Sequence, residues 1–341
     1  MRIRARAPLR LGLAGGGTDL SPFAEIHGGH VLNATISLYS YALLEDSKDG
    51  GIHFHANDLG RSFSSLAAAT LPTSIDLPLH AGVYNRIVRD FNDGRPLPIS
   101  LTTSADVRPG SGLGSSSTLV VAMVKAFVEF LQLPLGEYEI AHLAYEIERI
   151  DIGMSGGRQD QYAATFGGFN FLEFEANDRV IVNPLRIKRW IVSELEASLV
   201  LFGTGMSRDS STVIDSQISN VSSGNTKSVE ATLALKQDAI DMKAALLRGD
   251  IAHFTAILGR SWENKKRTSS GVSNGAIDDI YDAACKAGAS AGKISGAGGG
   301  GFMMFMVAPE RRDHVIEALK QKNGRILPCN FSDHGSEGWR A

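Results

Sequence analysis

Residues 108–118 read Arg-Pro-Gly-Ser-Gly-Leu-Gly-Ser-Ser-Ser-Thr, and this run constrains the chain more than any other. Three glycines on alternate positions let backbone N–H groups approach a ligand with no Cβ in the way. Three serines and a threonine follow, supplying hydroxyls and a helix N-cap. Leu119 to Leu131 is then apolar on nearly every face, the pattern of a buried helix. The start of such a helix aims unpaired N–H groups and its positive dipole end at whatever the glycines cradle. The expectation is an anion site, with phosphate as the foremost anion. Two better-known glycine motifs fail here. A Walker loop needs a Lys before its Ser/Thr, and no Lys lies between Asp106 and Lys125. A dinucleotide fingerprint needs a glycine three places after Gly112, where Ser115 stands, and this disfavours a Rossmann dehydrogenase.

The 341 residues suffice for one large or two ordinary domains. A net charge of −3 gives no global attraction to nucleic acid or an anionic membrane, so neither is an expected partner. A phosphorylated substrate would have to be met by local cations. The two cysteines, Cys285 and Cys329, are too few for a disulfide framework or a thiolate metal site, and are expected to pack as small apolar residues. The basic, alternating start Met-Arg-Ile-Arg-Ala-Arg-Ala-Pro has no apolar core of the kind a targeting segment needs. The nearest approach to a membrane span, Phe302 to Ala308, is too short. Cytoplasm is the expected compartment, and the oligomeric state stays open, a homodimer included.

Along the chain, Ile3 to Leu13 has strand character and ends in Ala14-Gly15-Gly16-Gly17-Thr18-Asp19. That is either an ordinary tight turn or one that brings backbone and an acid close to a small ligand. Val31, Leu32, Ile36, Leu38 and Tyr41 predict one or two strands over His30 to Glu45, and Ile52 to Phe54 another. Ala56 to Leu79 reads as a polar loop with room for a short helix. A helix from His80 to Phe91 precedes a strand, Ile99 to Ala105, that delivers the chain to the glycines. Ile140, Leu143, Ala144, Ile147 and Ile150 mark a further helix, broken by Gly153 to Gly157. After a strand from Phe169 to Phe174, the polar stretch Glu175 to Val182 is the candidate boundary between domains 1–178 and 179–341. Beyond it come a strand at Leu199 to Phe202 and about twenty Ser- and Asn-rich residues, read as mobile or as a helix cap. Helices follow over Val229 to Leu247, His253 to Trp262 and Ile277 to Lys286. The glycine run 293–301 then enters a strand, Phe302 to Val307, followed by a helix from Arg311 to Lys322 and a strand from Gly324 to Asn330. This is the order of an α+β second domain.

The pattern Pro-x-x-x-Gly-Leu-x-Ser-Ser, present as Pro109, Gly112, Leu113, Ser115 and Ser116, resembles the phosphate-binding motif of the GHMP kinases. That superfamily includes galactokinase, homoserine kinase, mevalonate kinase and phosphomevalonate kinase. Ala7-Pro8-Leu9-Arg10 through Thr18-Asp19 looks like its first motif, and residues 293–301 look like its third. The Ala-Gly-Gly-Gly-Thr-Asp-Leu variant is similar to that of a narrower group, kinases of heptose 7-phosphate and of fucose-like sugars. The resemblance covers essentially the whole chain. It implies the α+β, two-domain GHMP kinase fold, with a ribosomal-protein-like N-terminal domain and a ferredoxin-like C-terminal one. It also implies ATP and Mg2+ as cofactors, and phosphorylation of the anomeric hydroxyl of a heptose 7-phosphate. The rival is a kinase of an unphosphorylated sugar such as fucose or arabinose.

The same resemblance assigns roles. Pro109, Gly110, Ser111, Gly112, Leu113, Gly114, Ser115, Ser116 and Ser117 would form the ATP phosphate loop. Ser116 would ligate magnesium together with Glu148, five residues before Gly153. Asp160, in Gly157-x-x-Asp160-Gln161, would be the catalytic acid and Arg10 the cation beside it. Gly16, Gly17, Thr18 and Asp19 would shape the sugar pocket, with Gly298 and Gly299 closing on it from the second domain. Arg158 and Arg208, each beside a glycine-containing segment, are the candidates for reading a phosphate at the far end of the sugar. A free aspartate, with pKa ~3.9, is too acidic to ionise a sugar hydroxyl in the ground state, so proton transfer would come late, as the bond to phosphorus forms. A catalytically dead sugar sensor on this fold would have lost the acid or the magnesium ligands, and all of them are present.

Overall fold

The structure is a computed structural model that describes residues 1–206 and 210–341. Strand β1 (Arg2–Ala14) sends Arg2 and Arg4 to solvent and Ile3 and Ala5 inward, then buries both faces from Ala7 onward. Helix α1 (Phe23–His27) follows. The long strand β2 (Gly29–Asp46) is the spine of the first half. It pairs antiparallel with β1 along its length, with β5 through its last residues and with β6 through its first. Between these come β3 (Gly51–Ala56), β4 (Arg61–Leu66), α2 (Pro78–Phe91), β5 (Ile99–Ala105), α3 (Ser115–Leu131), α4 (Glu137–Tyr145), α5 (Gln159–Phe166), β6 (Phe169–Phe174) and β7 (Val180–Pro184). The loop expected over Ala56 to Leu79 therefore contains a strand, β4, which pairs with β3. Helix α3 is apolar all round because the sheet lies on one side of it and α2, α4 and α5 crowd the others.

The second half comprises α6 (Arg189–Ser198), β8 (Leu199–Gly203), α7 (Ser210–Ser222), α8 (Thr226–Arg248), α9 (Ile251–Lys266), α10 (Gly275–Ala287), β9 (Ala289–Ile294), β10 (Phe302–Val307), α11 (Arg312–Lys320) and β11 (Arg325–Leu327). Its antiparallel sheet runs β11-β8-β10-β9. The stretch read as mobile or as a cap holds α7. Helices α8, α9 and α10 each start on an Asn or Asp whose side chain accepts a backbone N–H of the first turn: Asn225, Asp250 and Asn274. The chain then returns to the first sheet, where β12 (Glu337–Arg340) pairs with β1.

The boundary expected after residue 178 is corrected by this pairing. It falls in the turn between β6 and β7, which are hydrogen-bonded partners, so the crossover to the second sheet comes only after Pro184. Nor are the halves independent. Leu9, Leu11 and Phe171 of the first sheet share one apolar core with Leu201, Met242, Phe254 and Met304 of the second half.

His80, on α2, marks how dry the first core is. It is buried, its Nε2 lies 2.9 Å from Thr103 Oγ1 in a hydrogen bond, and the Phe54 ring packs beside it. Burial pushes its pKa down to about 4. The unfolded chain takes up this proton near pH 6.5 and the native chain only near 4. Stability is therefore expected to fall as pH drops through that interval, by on the order of 3 kcal/mol from this group. Urea unfolding of wild type and His80→Gln at pH 7 and pH 4.5 checks this, and an equal loss in both proteins would count against it.

Candidate active site

Strand β5 delivers the chain to the loop 106–114, and α3 begins at Ser115 with Gly114 as its N-cap in the left-handed region, φ 77°. The glycines do more than open the loop to a ligand. A Cβ on Gly112 would stand 2.5 Å from Ser295 O, and one on Gly296 would stand 2.6 Å from Gly112 O. The two glycine segments thus pack backbone against backbone, and Phe302 N donates to Ser111 O at 3.0 Å. The loop is braced by the second half of the chain.

Arg10 follows a register shift in the β1–β2 ladder, the kind of irregularity that re-aims a side chain. Its side chain is 4% exposed. Nε donates to Asp160 Oδ1 at 2.8 Å, Nη2 lies 2.6 Å from the same oxygen, and Nη1 donates to Gly112 O at 2.7 Å. A Cβ on Gly114 would be 3.1 Å from the Asp160 carboxylate. Cation, acid and the head of α3 therefore form one connected cluster. Asp19 is nearby and buried; it accepts from Gly17 N at 3.1 Å, Gln159 N at 3.1 Å and Gln159 Nε2 at 3.0 Å. A Cβ on Gly157 would collide with its carboxylate. Arg10, Asp19 and Asp160 all line a cleft of about 430 Å³.

Below the loop, α4 gives way to a π-helical turn, Glu146–Asp151. Arg86 of α2 clamps both its ends, donating to Glu146 Oε2 at 2.8 Å and to the two Asp151 oxygens at 2.7 and 2.8 Å. Glu148 then points inward, fully buried. Its Oε2 accepts from Ser117 Oγ at 2.6 Å and Gln161 Nε2 at 2.7 Å. Its Oε1 has no hydrogen-bond partner and lies 3.3 Å from Arg149 Nη1.

Models of the GHMP kinases N terminal domain and the GHMP kinases C terminal domain match residues 78–168 and 242–325, one in each half. The chain belongs to the GHMP kinases. It is 51% identical to the D-glycero-alpha-D-manno-heptose 7-phosphate kinase of Campylobacter jejuni over 99% of both chains. A bifunctional L-fucokinase/L-fucose-1-P guanylyltransferase of Bacteroides fragilis is 28% identical over 98% of this chain and 38% of its own length. Among solved structures, a D-glycero-D-manno-heptose 1-phosphate kinase of Bacteroides thetaiotaomicron superposes with a TM-score of 0.86 at 48% identity, covering 99% of each chain.

In this GHMP kinase, ten of the expected residues line the cleft: Arg10, Gly16, Gly17, Asp19, Gly110, Gly112, Gly114, Ser115, Ser116 and Asp160. Others do not. Pro109 and Ser111 border a separate recess on the other side of the loop, and Leu113 is in the core. Ser117 is fully buried and bonded to Glu148, so the hydroxyl beside that carboxylate is the third serine's rather than that of Ser116. The Thr18 hydroxyl is engaged with Gly15 O and His30 O, where it holds the turn instead of facing the cleft. Gly298 and Gly299 lie against Val272, and it is Gly296 and Ala297 that reach the cleft. Arg158 is buried and pairs with Glu25 at 2.8 Å and Asp178 at 2.9 Å, which removes it as a free phosphate reader. Arg208 lies outside the described residues.

Among the cleft residues left unassigned at the level of sequence are Gln159, Arg149, Lys293 and Lys265. Gln159 orients Asp19, and Arg149 lines the cleft while donating to the 154–157 turn. Lys293, just ahead of the third glycine run, donates to Gly12 O at 2.7 Å, and burial pushes its pKa well down. Lys265, the last helical lysine but one of α9, donates to Gly16 O at 3.1 Å, and burial pushes its pKa down to about 8. For Lys293 the signal was its place beside the motif; for Lys265 there was none.

The donor set suits Mg2+. Glu148 Oε1, buried without a hydrogen bond and 3.3 Å from Arg149 Nη1, belongs to a carboxylate that accepts from the Ser117 hydroxyl, and this is the hard-oxygen chemistry that ion takes. Among the described residues no group of three or more His, Cys, Asp or Glu could hold an ion, so phosphate oxygens would have to complete the shell. Among them, too, no helix is long and apolar enough to cross a membrane.

Proposed function

We propose that this GHMP kinase transfers the γ-phosphoryl group of ATP to the anomeric hydroxyl of D-glycero-D-manno-heptose 7-phosphate, giving the 1,7-bisphosphate. The reading rests on the Arg10–Asp160 pair, 2.6 Å apart and set against Gly114 at the head of α3. The choice of sugar leans on the 51% identity with the Campylobacter jejuni kinase.

Backbone N–H groups of Gly112, Gly114 and Ser115 would receive the β- and γ-phosphates at the positive end of α3. Asp160 would accept the hydroxyl proton as the sugar oxygen bonds to phosphorus and the bond to the β-phosphate oxygen breaks, releasing ADP. Arg10 would offset the charge on the phosphoryl oxygens in transit. Ser116 and Glu148 would hold Mg2+, which when bound neutralises charge on the phosphates. Asp19, fixed by Gln159, would accept hydrogen bonds from the sugar hydroxyls, with Gly16 and Gly17 beneath. The bisphosphate would serve nucleotide-activated heptose for lipopolysaccharide or capsule, and ATP as donor sets the reaction in the cytoplasm.

A kinase of free fucose or arabinose is the weaker reading, supported by a 28% identical relative. ADP release measured across heptose 7-phosphate, the unphosphorylated heptose, fucose and arabinose separates the two. Heptose 7-phosphate is expected to lead in kcat/KM by about ten-fold or more. No turnover of it, or equal use of fucose, overturns the proposal.

A further inference from the structure

Lys265 sits at the end of α9 and lines the cleft beside Gly16. It is 3% exposed, and among the described residues its ammonium makes a single hydrogen bond, to Gly16 O. Among the described residues no carboxylate lies within 4.0 Å of it. Asp19 acts on it at longer range, and both Asp19 oxygens are already engaged by Gly17 and Gln159. Among the described residues, two of its three N–H donors thus have no protein partner. A buried ammonium in that condition is costly unless an anion reaches it. Its depressed pKa has burial as the leading cause, and the neighbouring charges do not offset that burial.

Lys265 lies on the side of the cleft that the proposed reaction gives to the sugar, with Gly16, Gln159 and Asp19. A Cβ on Gly16 would stand 3.7 Å from Lys265 Nζ and 3.7 Å from Gln159 Nε2, so the glycine leaves open the space both reach. Gln159 also orients Asp19 and precedes Asp160 in α5. Among the described residues the other cleft cations are committed: Arg10 to Asp160, Arg149 to Glu148 and the carbonyls of Met154 and Gly157, and Lys293 to Gly12 O and Leu13 O; Arg158, outside the cleft, pairs with Glu25 and Asp178.

We propose that Lys265 binds the phosphate the sugar already carries, and so selects a sugar phosphate over the free sugar. This rests on the reaction proposed above.

Steady-state kinetics of wild type, Lys265→Met and Lys265→Arg, with heptose 7-phosphate and with the same heptose lacking phosphate, test it. The ratio of kcat/KM for phosphorylated over free sugar is expected to fall on the order of 10–100-fold in Lys265→Met, mainly through KM for the phosphorylated sugar. It is expected to recover in part in Lys265→Arg, which keeps the charge. A ratio in Lys265→Met equal to that of wild type overturns the inference and leaves the proposed reaction standing. A wild type that uses both sugars equally overturns the substrate assignment, and this inference with it. Inorganic phosphate gives an independent reading. It is expected to compete with heptose 7-phosphate on wild type and more weakly on Lys265→Met, and equal inhibition of both counts against Lys265.

Discussion

Asp160→Asn is expected to lower kcat by about 10²–10⁴-fold, the range that loss of a positioned proton acceptor commonly costs. The substitution keeps the shape of the side chain and an oxygen for the Arg10 donors, so the cluster around Gly114 should hold together. It removes the proposed acceptor of the hydroxyl proton, which would be taken up while the bond to phosphorus forms. The KM for ATP should move little, because the loop N–H groups and the start of α3 do not depend on this carboxylate. Arg10, with a side chain 4% exposed, would lose its charged partner, and a lower melting temperature should accompany the kinetic defect. Single-turnover rates at saturating ATP and sugar separate chemistry from binding. Undiminished turnover by Asp160→Asn would remove the basis for placing the reaction at this pair.

Glu148→Gln should reduce kcat/KM on the order of 10²-fold, equal to about 2.7 kcal/mol of transition-state stabilisation. The carboxylate is fully buried and accepts from Ser117 and Gln161, and in the proposed site its other oxygen would be the one offered to Mg2+. A glutamine amide in that place brings N–H donors to a site already supplied with donors by Gln161 and Arg149. The Mg2+ concentration for half-maximal rate is therefore expected to rise, with partial rescue at high Mg2+. A rate curve superimposable on that of wild type would show that the ion is held elsewhere.

Arg10, Ser116 and Asp160 are marked by the resemblance to the GHMP kinases, whose motifs are carried here by short local segments. These are a strand running into glycines, glycines running into a buried helix, and an acid after a glycine-rich break. The strand–glycine–helix order around residue 112 is equally local, since alternation, helical periodicity and the left-handed φ at Gly114 depend on near neighbours. The resemblance also points to Glu148, but its pairing with Ser117 was not legible. That depends on a π-helical turn clamped by Arg86, 60 and 65 residues away in the chain.

Thr18 and Arg158 look like ligand-facing residues until their partners appear, and those partners are His30 and, for Arg158, Glu25 and Asp178. The hairpin β6–β7 hides behind a polar turn that reads as a linker, because polarity reports exposure and exposed turns occur inside domains as well as between them. Lys265 stands in a run of polar and charged residues that would suit any solvated helix end, and it becomes a cleft residue only when α9 packs against β1. Most of the buried strands, the strongly periodic helices and the glycine turns were thus legible in the residues alone, since those follow from interactions a few residues apart, whereas β4 and α7, rich in polar residues, and β7, behind the polar turn, were not. Which side chains meet in the cleft, and which are satisfied before any ligand arrives, was decided only by packing between segments far apart in the chain.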